Sequence, residues 1–467
     1  MHKNKSTKCD ESCLEKVKYP IKKVNRLNTP LKLFVGYILI TLVINLYGPW
    51  EYLNFNKLYV SNFIFTYLVS TIITYLIFVK TSKSVRFVIS NNTKNLLVWR
   101  NGIKITNKSI VLSMLLFVIM ILIKISEIGL PTTNDIFITM AEAYSNKKDI
   151  GMELNRSGWL FAYFSIVYVI TVILGAYYFS SLNKIYRVLY VTVLLLSVIY
   201  NILYVGNQKA LGDIIIYIAS VAFIKFCQSG KRINAKQMLL ISISICGCLL
   251  LFASILDSRM RLWGVEYYSV GGRATLNIDN WMLSLFDDDL KLGIGTFLYY
   301  ISHGYYGLSL CLDLPFVWSY GYGSSFAVKE LFNMIIPLSD NFIASYPIRM
   351  EAETHWDAYS NWHTIFPWLA SDFTYVGAIV FLCMVMIIYA LSWNRILRNG
   401  HWVNILMFSN INILLLYVPA NNQLFQTRAS VIVTILILLV WLFNHNVDTT
   451  QNREEGKYEK SKKSINN

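Results

Sequence analysis

Charge is scarce in this 467-residue chain: Asp, Glu, Lys and Arg make up 15% of it, against 55% hydrophobic residues and a mean hydropathy of +0.46. That balance excludes a soluble globule and leaves a polytopic membrane protein. Cysteine is sparse too. Of seven, Cys9 and Cys13 precede the first apolar run, Cys227, Cys246, Cys248 and Cys383 lie in apolar runs, and Cys311 alone falls in the longest loop. A lone exported Cys excludes an internal disulfide there, and one Cys-x3-Cys pair is a weak metal signal. No Walker or dinucleotide glycine motif occurs between the apolar runs, which argues against nucleotide chemistry. There is no internal repeat and no inverted pair of broken helices, which counts against a secondary transporter. No small-residue cleavage site follows the first apolar run, which some 32 polar and basic residues precede, so no signal peptide is expected.

Long apolar runs are what the chain does have. Ten are long enough to cross a hydrocarbon core of about 30 Å at 1.5 Å per residue. They lie near 33–50, 58–79, 109–126, 158–180, 188–206, 210–227, 238–256, 372–392, 402–418 and 429–444. All are predicted to be helices, because lipid offers no partner to an unpaired backbone group.

The net charge of +15 raises nucleic-acid binding, but its distribution rejects that reading. Alternating the loops across ten spans groups 1–32, 80–108, 181–187, 225–236, 393–401 and 445–467, with 29 Lys and Arg against 7 Asp and Glu. The remainder holds 13 against 20. This is the positive-inside bias, and it predicts cytoplasmic N- and C-termini in an inner-membrane protein. The polar tail from 445 is expected to be disordered. The fold class expected is therefore an all-α polytopic membrane protein with one large outer loop, 257–371, carrying short interfacial helices. Within that loop, residues 293–312 lack any Asp, Glu, Lys or Arg. A re-entrant or interfacial course is expected for them; if they cross instead, a second crossing must follow, giving twelve spans.

The outer loop concentrates chemistry. Its 115 residues hold twelve carboxylates, six Lys or Arg, three of the six His and six of the twelve Trp. Arg259, Arg261 and Arg273 come early, and Arg349 and Arg428 fall on the same side. Arg presents a planar fork that fits phosphate oxygens, so such a set at a membrane edge suits a pyrophosphate. Interface anchoring, or ion pairs to Asp257 and Glu266, is the plainer reading of any single member. Later, Glu351, Glu353, His355 and Asp357 fall within seven residues, and His363 follows. A positioned His or carboxylate is the usual base for a hydroxyl that must lose its proton. The spacing matches no zinc template, so neither metal nor cofactor is expected. Asp287, Asp288 and Asp289 suit helix capping better than Mg²⁺. Trp356 and Trp362 are candidate sugar platforms, whereas Phe366 and Trp368 suit the interfacial aromatic belt. Lys209, in the short turn before Asp213, either contacts phosphate or snorkels from a helix end.

Asn361-Trp362-His363-Thr364 followed by Phe366, Asp372-Phe373 and Gly377 resembles the loop-to-helix segment of the Wzy-type O-antigen and capsule repeat-unit polymerases. Asn421-Asn422-Gln423 through Arg428 is similar to their closing turn, and the layout of spans and one late outer loop is similar over the whole length. Where that family has Arg at the short outer turn and Gly after Asp-Phe, this chain has Lys209 and Thr374. The resemblance implies en bloc transfer of a growing undecaprenyl-pyrophosphate-linked oligosaccharide onto a second lipid-linked repeat unit. It implies His355 or His363 as base, with Glu353, Asp357 and Glu351 as rivals. Arg259, Arg261, Arg273 and Arg428 would hold pyrophosphate. The bilayer and a chain-length regulator protein are the partners it suggests. An O-antigen ligase or a lipid-linked oligosaccharide flippase remains the alternative.

Overall fold

Apolar residues on every face, with few ionisable groups, make helices that satisfy their own backbone and leave side chains for lipid. Nine of the ten apolar runs are helical in the computed structural model, which describes residues 26–80, 93–129, 156–205, 208–229, 234, 247, 269–284, 286–333, 336 and 339–444. The tenth, 238–256, lies outside the described residues except for position 247, as do most of the N-terminal segment, the C-terminal tail, Arg259 and Arg261.

In chain order the helices begin with α1 (Thr29–Tyr47), α2 (Lys57–Lys80) and α3 (Thr93–Ile128). Next come α4 (Arg156–Tyr178), α5 (Lys184–Tyr200), which runs into a π turn (Asn201–Val205), and α6 (Gln208–Ser229). The large loop contributes α7 (Asp288–Ser302), α8 (Gly304–Leu312), α9 (Phe326–Asn333) and α10 (Tyr346–Thr354). The chain closes with α11 (Ile365–Asn399), α12 (Trp402–Leu416) and α13 (Arg428–Asn444). Among the described residues, six helices, α1 to α4, α6 and α11, contain segments long and apolar enough to cross a membrane. Helices α12 and α13 are apolar but shorter. Phe65 and Ile77 of α2, Leu115 and Leu122 of α3, and Val376 and Val380 of α11 point outward, which suits a membrane-embedded protein.

Helix α3 packs along α4 and α5, α2 along α11, and α12 against α6 and α11. Described residues of the two loop sets separated by charge meet in separate groups of contacts. At one end, Arg26 Nη1 donates to the Phe226 and Cys227 carbonyls, both at 2.7 Å. There too Trp393 Nε1 donates to Arg26 O, Gln228 to Ile396 O and Lys225 to Ala176 O.

At the other end the first short loop meets the large one through backbone pairing. A three-stranded antiparallel sheet orders β1 (Trp50–Tyr52), β3 (Ala274–Leu276) and β2 (Ser269–Val270), with Trp50 opposite Leu276 and Ser269 opposite Thr275. The helical pattern gives no hint of it, since each strand is two or three residues long.

Stretch 293–312 is not one helix. It divides at His303 into α7 and α8, and all nine residues of α8 are buried. They sit between α1 and α2, with the Tyr305 hydroxyl 2.9 Å from Thr41 Oγ1 and Asn45 donating to Ser302 O.

Candidate functional site

The charge-free stretch supplies the centre of the loop end. At the break between α7 and α8, His303 Nδ1 donates to Tyr299 O at 2.7 Å, which leaves Nε2 to accept the Trp362 N–H at 2.8 Å. Its ring stacks on Tyr299 at 4.0 Å and on Trp362 at 5.2 Å. Burial pushes the His303 pKa down to about 3, against the Tyr299 carbonyl that favours its charged form. A neutral imidazole with one fixed tautomer therefore clamps the segment around Trp362. Sequence reasoning passed over His303; the only signal for it was a His inside a stretch otherwise without ionisable acids or bases.

Helix α8 meets that segment without side chains between. A Cβ on Gly307 would stand 2.5 Å from Trp362 O, and one on Gly304 would stand 2.0 Å from Pro419 O. Residues 363–365 run beside the closing turn, His363 N–H donating to Ala420 O and Ile365 N–H to Val418 O. His363 itself is 1% exposed, its Nε2 has no hydrogen-bond partner, and its ring meets Trp368 edge-on. Burial, then the neighbouring His303, push its pKa down to about 3, opposed by the Asp357 charge.

The Arg-bearing and acidic parts of the loop come together at the end of α10. Arg273, fixed by the sheet turn, donates from Nε to the Thr354 carbonyl. The next residue, His355, ends α10 in the left-handed conformation (φ 59°) and is exposed. Glu353 is exposed beside it. Asp357 accepts from the backbone of Tyr359 and Ser360 and from Ser360 Oγ at 2.5 Å, so it caps a turn. Trp356 is 1% exposed, edge-on to Tyr306, and its indole face is given to packing.

The other cations stand apart from this cluster. Arg428 pairs with Glu330 on α9 at 2.6 Å. Arg349 donates to the Ala344 and Pro315 carbonyls, tying α10 to the loop before α9. Lys209 belongs to the first turn of α6, four residues before Asp213. Asp213 lies near Tyr417, at the end of α12: a Cβ on the adjacent Gly212 would stand 3.8 Å from the Tyr417 hydroxyl.

A second anchor joins loop and bundle. Asp372 accepts from Ser319 Oγ at 2.6 Å, Gly321 N–H at 2.8 Å and Ser324 Oγ at 2.5 Å, organising residues 319–324. Two residues on, Thr374 adopts φ 62° and ψ 167° inside α11, and Thr364 adopts φ 65° and ψ 174° before it. Four of the five non-glycine residues with positive φ among the described residues (Tyr320, His355, Thr364 and Thr374) lie in this one region. Strained backbone persists where surrounding structure dictates it, commonly at functional sites. Among the described residues no group of three or more His, Cys, Asp or Glu could hold a metal ion. No protein-family model, curated protein or solved structure matches the chain.

Proposed function

We propose that the chain is a membrane glycosyltransferase that polymerises lipid-linked oligosaccharide repeat units at the loop end of its bundle. On this reading ten spans put both termini in the cytoplasm and the loop end outside. The acceptor sugar hydroxyl loses its proton to a base as its oxygen attacks the anomeric carbon of the growing chain. The anomeric carbon–oxygen bond breaks, and its electron pair leaves on undecaprenyl pyrophosphate. The energy lies in that activated bond, so no nucleotide is consumed.

The observation that carries the reading is the Arg273 hydrogen bond to the carbonyl of Thr354, the residue between the exposed Glu353 and His355. A cation for the leaving pyrophosphate and a base for the acceptor must stand close together, and the bond to Thr354 ties Arg273 to the residue between the two candidate bases. His355 is favoured over His363, because a buried ring with a pKa near 3 is a weak proton acceptor at neutral pH. Asp357 is occupied as a cap and Arg428 by Glu330, so both serve better as positioning groups.

Deleting the protein from its host tests the proposal. Surface glycan capped at one repeat unit is the expected result. Loss of all surface glycan would mean a flippase, and long chains accumulating on the carrier lipid would mean a ligase.

A further inference from the structure

Asp213 is a carboxylate near the start of a helix that is otherwise almost wholly apolar, and an ionisable group in such a helix calls for a chemical reason. Tyr417 is a neighbour: a Cβ on Gly212, adjacent to Asp213, would stand 3.8 Å from its hydroxyl. The Tyr417 ring lies 6.4 Å from the Trp362 indole at 68°, and Tyr300 lies 4.4 Å from that indole at 70°. His303 stacks on Trp362 and holds its backbone. Asp213, Tyr300, Trp362 and Tyr417 thus converge from α6, α7, the 361–364 segment and the closing turn. All four are partly exposed, although α8 beside them is buried throughout.

We infer that Asp213, Tyr300, Trp362 and Tyr417 form a binding subsite for one sugar ring. Aromatic faces cover the C–H faces of a pyranose, and their polar edges meet its hydroxyls. A carboxylate oxygen is acceptor-only and suits the O–H donors of a sugar. An ammonium cage would present several ring faces to one point, but His303 already covers one face of the indole and both tyrosines meet it steeply. This subsite rests on the glycosyl-transfer reading and names where that reaction's glycan is gripped.

The test is direct binding of oligosaccharide, released by mild acid from the host's own lipid carrier, to the full-length chain in detergent micelles. Saturable binding by the unaltered protein is expected, weakened at least about tenfold by Asp213→Asn, by Tyr300→Phe and by Trp362→Ala, and unchanged by Trp281→Ala on the exposed sheet side. Asp213→Asn and Tyr300→Phe keep side-chain shape, so an unchanged thermal midpoint in these two separates lost binding from lost folding. No binding by the unaltered protein, equal binding by all variants, or displacement of the oligosaccharide by tetramethylammonium overturns the subsite. If binding depends on Asp213 while cells lacking the protein still extend their glycan, the polymerase reading fails and the subsite stands. Extension with binding indifferent to Asp213 removes the subsite alone.

Discussion

The backbone N–H of Trp362 donates to Nε2 of His303 at 2.8 Å, across 59 residues of chain. That single bond fastens the segment before α11 to the break between α7 and α8, and both ring faces of His303 are covered as well. Replacing His303 by Phe keeps a stacked ring but leaves the Trp362 N–H without its acceptor. The expected cost is about 1–3 kcal/mol, read from the unfolding midpoint in detergent. A midpoint equal to the parent would show that the bond contributes nothing.

Acid should loosen the same region. His303 and His363 have pKa values pushed down to about 3 in the folded chain, against about 6.5 when unfolded. Between those values the unfolded chain binds more protons than the folded one, so stability rises with pH across the window. It is complete above about pH 6.5 and is lost as pH falls toward 3. Unfolding midpoints between pH 4 and 8 should therefore slope upward and then flatten. The double variant His303→Phe, His363→Phe should show a shallower slope, and an unaltered slope would assign the acid sensitivity elsewhere.

Glycine to alanine inside a helix ordinarily stabilises by about 0.5–1 kcal/mol. The reverse is expected at Gly304 and Gly307 of α8, where an added methyl meets the Pro419 and Trp362 carbonyls. Each substitution should cost at least about 1–3 kcal/mol by overpacking. Thermal unfolding and loss of protease resistance in the closing turn would report it.

Thr374 holds backbone angles that glycine adopts without strain, and its Oγ1 compensates by accepting the Gly377 N–H at 3.3 Å. Relief of about 1–3 kcal/mol of strain should outweigh loss of that weak cap, so Thr374→Gly should raise the unfolding midpoint. Gly377→Ala should lower it, because a Cβ there stands 2.8 Å from Phe373 Cβ. Opposite signs three residues apart make this pair informative.

Chain extension gives the functional comparison. His355→Ala should slow it by about 10²–10⁴-fold if His355 is the base. Arg273→Lys should retain charge but lose the planar fork and its Nε bond to Thr354, so a severe defect is expected there too. Arg428→Gln should have a milder effect, because its half-exposed pair with Glu330 is worth about 0–1 kcal/mol. If all three variants extend glycan at the parental rate, the site assignment is wrong.

Hydropathy and charge alone located the helices and sorted the loops into two sets, because lipid solvation and self-contained backbone bonding are local demands that each segment meets by itself. The adjacency of Arg273 to His355 could not be read that way: it depends on a three-stranded sheet whose strands are too short to leave a pattern. Trp356 and Trp362 look alike in sequence, yet one is packed away and the other is half-buried. The two histidines His355 and His363 differ in the same way, one on a left-handed helix end and one beneath the closing turn. Local chemistry decided which segments form long apolar helices. Only long-range packing around His303, Gly304 and Gly307 decided which polar groups stay exposed and which hold the scaffold, because exposure and pKa are set by neighbours that the chain brings from far away.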